Sequence, residues 1–195
     1  MASTLKKKLS ALDPRFRKEI QDLFSHMNEC VNVLYEVATK DEKTGLYNNK
    51  FFETVLEMEI EKAKRKQQKL SLIITDIDFF KKINDSYGHI KADELLAELA
   101  KVIIKTIRKS DVAARFGGEE FIILLPETSL EKAKKLSVRL KNLISQNKIL
   151  RKYNLTVSGG ITQFKLTDTK KSFKSRADKA LYLAKKQGRN KFVAA

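Results

Sequence analysis

Two short apolar runs, Val112–Phe116 and Phe121–Leu125, flank Gly117-Gly118-Glu119-Glu120, and this arrangement leaves the chain few folds to adopt. Paired glycines admit the positive φ of a tight turn, so the two runs are predicted to fold back as neighbouring strands. Helical stripes surround this hairpin. Phe51, Phe52, Val55, Leu56, Ile60 and Ala63 form one, and Ala92, Leu95, Leu96, Leu99, Ile103 and Ile107 a second. Leu130, Ala133, Leu136, Leu140 and Ile144 form a third, and Ala177, Ala180, Leu181 and Ala184 a fourth. Leu70–Ile74 and Asn154–Ile161 read as further strands, with Phe192-Val193 as an edge strand. The order α-β-α-β-β-α-β-α predicts an α/β (α+β) domain over residues 41–195, a central mixed sheet covered by helices.

Residues 1–40 have a different texture. They contain no glycine, and Asp13-Pro14 is a good helix start, Asp as the cap and Pro in the first turn. Ile20, Leu23, Met27, Cys30, Leu34 and Val37 then recur at alternating spacings of three and four, an a/d seam. Such a seam suits a dimerising, signalling helix and equally a helix folded back on its own domain. Forty residues are too few for a full sensor domain. Lys6-Lys7-Lys8 is followed by no apolar core, so no signal peptide is predicted, and no apolar run is long enough to span a bilayer. The single cysteine, Cys30, excludes an internal disulfide and a cysteine-based zinc cluster, which fits the reducing cytoplasm.

Charge narrows the partners without choosing one. The net charge is +16, and residues 1–40 hold seven basic and five acidic side chains, so +14 lies in residues 41–195. A field of that sign attracts polyanions, nucleotide phosphates among them, and equally describes Lys-rich helices that are simply solvated. No nucleic-acid-binding motif accompanies it.

Thr75-Asp76-Ile77-Asp78 follows an apolar strand directly, where α/β folds place their sites. If that strand neighbours the hairpin, Asp76 converges with Glu119 and Glu120. Clustered carboxylates repel one another unless a cation sits among them, and hard oxygen donors favour Mg²⁺ or Mn²⁺ with phosphate completing the shell. A lone Gly-Gly-Glu-Glu also suits solvated acids in a turn.

Gly117-Gly118-Glu119-Glu120-Phe121 resembles the GGEEF form of the signature of the GGDEF family of diguanylate cyclases. Asp41-Glu-Lys-Thr-Gly-Leu-Tyr-Asn48 resembles the family's entry motif D-x-L-T-G-L-x-N, with Lys43 in place of the usual leucine. Asp76-Ile-Asp-Phe-Phe-Lys-Lys-Ile-Asn-Asp85 with Tyr87-Gly-His89 resembles the metal- and guanine-binding segment, and Ala184-Lys-Lys-Gln-Gly-Arg-Asn190 the C-terminal phosphate-binding motif. The resemblance implies a nucleotidyl-cyclase, palm-like fold with a largely antiparallel sheet.

It also implies a reaction: two GTP condensed into cyclic di-GMP and two pyrophosphates, between two domains of a homodimer that each hold one nucleotide. By similarity Asp76, Glu119, Glu120 and the Ile77 carbonyl bind two Mg²⁺ or Mn²⁺ ions, and Glu120 accepts the proton of the attacking hydroxyl. Lys81 stabilises charge in the transition state. Asn84 and Asp93 read guanine, since a carboxylate that accepts from N1–H and N2–H₂ separates guanine from adenine. Lys185 and Arg189 hold the β- and γ-phosphates, Phe79 and Phe80 lie in the loop that wraps them, and His89 contacts nucleotide or caps the following helix. The Phe79 and Phe80 rings suit core plugs as well. Arg108-Lys-Ser-Asp111 resembles the RxxD inhibitory product site, with Arg139 as a second arginine. A catalytically idle cyclic di-GMP receptor is the alternative, disfavoured by intact Asp76, Asp93, Glu119 and Glu120.

Two departures stand out. Ala92 replaces a glycine, so the turn into its helix is expected to do without one. Gly159 replaces a packed isoleucine, at an expected cost of about 2–4 kcal/mol if that site is fully buried.

Overall fold

The computed structural model describes residues 13–195, so the Lys6-Lys7-Lys8 cluster lies outside the described residues. The described chain divides into two units, one ending at Ala38 and one spanning residues 39–195.

The first contains helix α1 (Pro14–Thr39). Asp13 begins it as expected, its carboxylate accepting the backbone N–H of Arg15 at 2.9 Å. Leu23, Met27, Leu34 and Val37 of the a/d seam are exposed, as are Phe16, Phe24 and Val31. Among the described residues no helix is long and apolar enough to cross a membrane.

The second unit runs β1 (Tyr47–Asn48), α2 (Asn49–Lys66), β2 (Leu70–Ile77), α3 (Phe80–Thr106), β3 (Val112–Gly117) and β4 (Glu120–Pro126). It continues with α4 (Leu130–Gln146), α5 (Lys148–Lys152), β5 (Val157–Gln163), α6 (Lys170–Lys186) and β6 (Phe192–Ala194). The strands form one sheet in the order β1-β3-β4-β2-β5-β6. The four central strands pair antiparallel, while β1 joins β3 and β6 joins β5 in parallel. The mixed, largely antiparallel sheet is therefore as predicted.

Strand alternation assigns each face a core. Ile73, Ile77, Phe121, Ile123, Leu125, Val157 and Ile161 pack against α3, α4 and α5, with Leu95, Leu99, Ile103 and Leu140 opposite. Leu70, Leu72, Ile74, Ile122 and Leu124 pack against α2 and α6 through Phe52, Leu56, Phe173 and Ala177. With both faces covered, every residue of β2 is buried.

The two departures receive physical accounts. Ala92 lies inside α3 with its side chain buried in the core, and the break in that helix falls at Gly88, whose φ is 78°. The turn expected beside Ala92 is thus supplied four residues earlier. A Cβ on Gly159 would stand 2.3 Å from the Phe192 ring, so a phenylalanine from β6 fills the space that an isoleucine would take. The expected loss of burial is made good there. At Gly160 a Cβ would meet the Ala177 carbonyl at 1.9 Å, so glycine lets the backbone of α6 lie directly on β5.

Boundaries of β2 and β5 differ from the sequence reading, and two short elements escape it. β2 continues past Ile74 to Ile77, because the polar Thr75 and Asp76 keep their ladder partners. β5 begins at Val157 rather than Asn154, since the chain first closes α5 through a Leu155 N–H to Leu150 carbonyl bond of 3.0 Å. β1 and α5, two and five residues long, are too short to show a period.

Candidate active site at the end of the central strands

β2 lies between β4 and β5, so side chains at its C-terminal end meet those of both neighbours. Asp76 is the register partner of Glu120 on one side and of Ser158 on the other. Directly opposed residues share a face, so the two carboxylates project together on the side covered by α6. That helix reaches them with Lys185, whose Nζ lies 2.8 Å from Asp76 Oδ1. Burial pushes the Asp76 carboxyl up and Lys185 opposes it. Burial and then the charge of Asp76 push Glu120 up, with Asp178 and Glu119 adding to that repulsion.

The three predicted metal ligands are not gathered equally. Asp76 and Glu120 are paired by register, while Glu119 occupies the hairpin turn beside Gly118, whose φ is +51°. The Glu119 carbonyl accepts the Ile77 N–H at 3.3 Å, which ties the turn to the end of β2. Among the described residues no three His, Cys, Asp or Glu side chains form a group able to hold a metal. Two carboxylates are nevertheless a sufficient protein contribution for Mg²⁺, which is usually held by one or two carboxylates plus substrate phosphates.

The loop after β2 is set by Asp78, a residue that sequence reasoning left without a role. It lies just beyond the strand, two residues after Asp76, and its charge adds to the upward push on that carboxyl. Its buried carboxylate accepts three hydrogen bonds, from Thr156 Oγ1 and Ser158 Oγ at 2.7 Å each and from the Asn190 N–H at 3.0 Å. One acid thereby joins the end of β2, the start of β5 and the turn after α6. Phe79 follows at φ 56°, a left-handed conformation that is an outlier for a bulky residue and a mark of functional loops. Its ring is exposed, and the Arg189 guanidinium lies 4.3 Å from the ring centroid. Phe80, by contrast, is a core residue, so only its main chain is available to a ligand. Lys185 stands on α6 and Arg189 just beyond it at φ 61°, both beside the Asp76–Glu120 pair.

Lys81 is exposed in the first turn of α3. Asn84 and His89 face each other across the Gly88 break, Asn84 Oδ1 lying 3.2 Å from His89 Nδ1. Asp93 is half-exposed and paired with Lys43, the residue that departs from the entry motif.

Arg115 is a second residue that sequence reasoning passed over. Its Nη2 and Nε donate to the Gly118 carbonyl at 2.7 and 2.9 Å, and its Nη1 lies 3.3 Å from the Asp41 carboxylate. Asp41 in turn organises the entry motif, accepting the Thr44 N–H at 3.0 Å and its hydroxyl at 2.6 Å. The glycine hairpin and the entry motif are thus one rigid assembly. The only signal in the sequence is a charged residue interrupting an otherwise apolar strand.

At the opposite end of β3 from the hairpin, Arg108, Asp111 and Arg139 line one cavity of about 330 Å³ with Thr128, Lys132, Lys135 and Leu136. Buried Asp111 accepts the Arg108 backbone N–H at 2.9 Å, and burial pushes its carboxyl up. Arg139 donates to the Thr106 carbonyl. Lys132 and Lys135 add cations that the spacing of the arginines did not reveal.

Known proteins bear on this arrangement. The family model described as "Diguanylate cyclase, GGDEF domain" matches residues 38–191. Diguanylate cyclase A of Treponema denticola is 41% identical over 166 residues, covering 81% of this chain and 44% of that protein. Diguanylate cyclase DgcP of Pseudomonas aeruginosa is 38% identical over 194 residues, 96% of this chain and 28% of that one. The chain thus spans less than half the length of these curated relatives. The crystal structure of the coiled coil and GGDEF domain of DgcB from Caulobacter crescentus, in complex with c-di-GMP, superposes with a TM-score of 0.79 at 29% identity. It covers 93% of this chain and 97% of that one.

Proposed function

Because the chain belongs to the GGDEF family of diguanylate cyclases, we propose that it condenses two GTP molecules into cyclic di-GMP, releasing two pyrophosphates. The observation that carries this reading is the register pairing of Asp76 with Glu120 beneath Lys185 and next to Arg189. Two mutually repelling, partly buried carboxylates flanked by cations suit a polyphosphate delivered together with a divalent cation. The residues fit Mg²⁺ or Mn²⁺, two ions per site by family resemblance, with Asp76 and Glu120 as ligands and Glu119 and the Ile77 carbonyl as further donors. When bound, the cation supplies positive charge at the reacting phosphate.

The chain's own residues then divide the work. Asp93 accepts from the guanine N1–H and N2–H₂ while Asn84, oriented by His89, makes a second contact to the base. Lys185 and Arg189 hold the β- and γ-phosphates, a task for which arginine's planar fork is well shaped. The Phe79–Phe80 turn offers its main-chain N–H groups to the same phosphates. Glu120 accepts the proton of the attacking 3′-hydroxyl; the new bond forms at the α-phosphorus of the other nucleotide, and the bond to pyrophosphate breaks with its electron pair. Lys81 offsets charge gathering in that step.

One domain holds one GTP, so two copies meet face to face. The exposed apolar seam of α1 supports its assignment as the dimerising element, and the coiled coil of the DgcB structure agrees with that choice. The cavity lined by Arg108, Asp111 and Arg139 is assigned to the product as inhibitor.

One experiment tests both claims. Purified protein is expected to consume GTP and not ATP, to stop when EDTA removes the cation, and to lose specific activity on dilution once residues 1–38 are deleted. Turnover in EDTA would sink the metal assignment. Equal specific activity of the truncated protein across the dilution series would sink the role of α1.

A further inference from the structure

Lys43 occupies an unusual place. The turn that carries it is held at both ends: the Asp41 N–H donates to the Leu46 carbonyl at 2.9 Å, and the Gly45 N–H to the Asp41 carbonyl at 2.8 Å. Gly45 at φ 69° completes the reversal, and Leu46 anchors it in the core. From this fixed turn Lys43 reaches across fifty residues of sequence to Asp93, its Nζ lying 2.8 Å from Oδ1 and 2.7 Å from Oδ2. An ammonium so nearly equidistant from both oxygens stands in front of the carboxylate, where a pair of neighbouring donors would dock.

We propose that Lys43 is a specificity-determining residue, which yields Asp93 to the paired donors of guanine and takes up the O6 atom beside them. The proposal rests on the reading of Asp93 as the guanine-binding carboxylate. The chemistry of the base makes the exchange close. Guanine presents O6, N1–H and N2–H₂ in a row, so a carboxylate filled by the last two leaves O6 at its flank. The displaced ammonium needs only a small movement to reach it. Both side chains are substantially exposed, 50% for Lys43 and 38% for Asp93, so the original pair is weakly held and its exchange is cheap. Adenine offers neither half of the exchange. Its bare N1 cannot donate to Asp93, and its 6-amino group presents a donor where Lys43 also donates. Breaking the pair for adenine therefore leaves both charges unanswered, so discrimination comes from repulsion as well as attraction.

The test is calorimetric titration of the full chain, with folding of each variant checked by circular dichroism. The ligand is α,β-methylene-GTP, which lacks the bond that turnover breaks. Lys43→Met is expected to raise its Kd about tenfold, the low end for a hydrogen bond to a charged group because the site is half exposed. Lys43→Gln, which keeps a neutral donor, should fall between. For 6-thioguanosine triphosphate, which keeps N1–H and N2–H₂ but puts a weakly accepting sulfur in place of O6, Lys43→Met should change Kd less than for the oxygen nucleotide. An unchanged Kd for the guanine nucleotide in both variants would make the pair an ordinary surface contact and overturn the proposal. Tighter binding would overturn it too, since Lys43 would then only block Asp93. Asp93→Asn separates the underlying reading: if that variant binds the guanine nucleotide as wild type does, Asp93 does not read the base and the proposal falls with it. If Asp93→Asn alone weakens binding, Asp93 stands and only Lys43's part is refuted.

Discussion

Replacing Glu120 by glutamine is expected to lower turnover at least about a hundredfold, the scale of a lost acid–base contribution, while GTP binding largely survives. The substitution keeps the shape and hydrogen-bonding reach of the side chain and removes its charge. That charge serves twice in the proposed reaction, in holding the cation and in receiving the proton of the 3′-hydroxyl. The proposed guanine and phosphate contacts lie elsewhere, on Asp93, Lys185 and Arg189, so affinity should change little. A variant that keeps more than about a tenth of the wild-type rate would contradict the role. Stability should move the other way from activity. Burial and Asp76 push the Glu120 carboxyl up, so ionised Glu120 is held against its preference in the folded chain. Such a group favours the fold most when protonated, and its contribution is lost as pH rises through the raised folded value. Removing the charge should therefore leave the melting temperature unchanged or slightly higher at neutral pH.

Arg108→Ala is expected to raise the inhibition constant for cyclic di-GMP roughly ten- to a hundredfold, the effect of one lost charged contact, with the initial rate nearly unchanged. Arg108 and Asp111 stand at one end of β3 and the Gly118–Glu119 turn at the other, so a ligand there shares no atom with the nucleotide site. Inhibition from that cavity must act by holding domains in an unproductive arrangement. Arginine suits the task, its fork pairing with a guanine edge and its charge with phosphate. The surrounding Lys132, Lys135 and Arg139 make the cavity cationic, which matches a dianionic ligand better than a structural ion pair. Asp111 also spends its carboxylate on the Arg108 backbone rather than on the guanidinium, so the arginine head remains available. Progress curves at several added product concentrations would read the effect. Equal inhibition of the variant and wild type would remove Arg108 from the site.

Elements with a period were legible in the sequence. The helical stripes of α2, α3, α4 and α6 and the apolar runs of β2, β3 and β4 all lie where their spacing put them, because burial on both faces demands it. The meeting of Asp76 with Glu120 was legible too, given one hairpin and one strand ending in an acid. Contacts between distant segments carry no local pattern and were missed. Asp78 reads as a second acid in Asp-x-Asp, yet its partners lie 78, 80 and 112 residues away. Arg115 looks like a polar interruption of a strand, and only the fold brings Asp41 and Gly118 to it. Lys43 was visible as a departure, but its partner Asp93 was not. Gly159 seemed to lose packing because the Phe192 ring that replaces it comes from another strand.

The central claim rests on a reaction, and identifying its product tests it most directly. The purified chain, freed of bound nucleotide and shown to be folded, is incubated with GTP and Mg²⁺, and the products are separated by chromatography and weighed by mass spectrometry. Cyclic di-GMP with two pyrophosphates for each molecule formed is the expected product, and none with ATP alone. GTP recovered intact after prolonged incubation would contradict it and leave the chain an idle receptor for that dinucleotide.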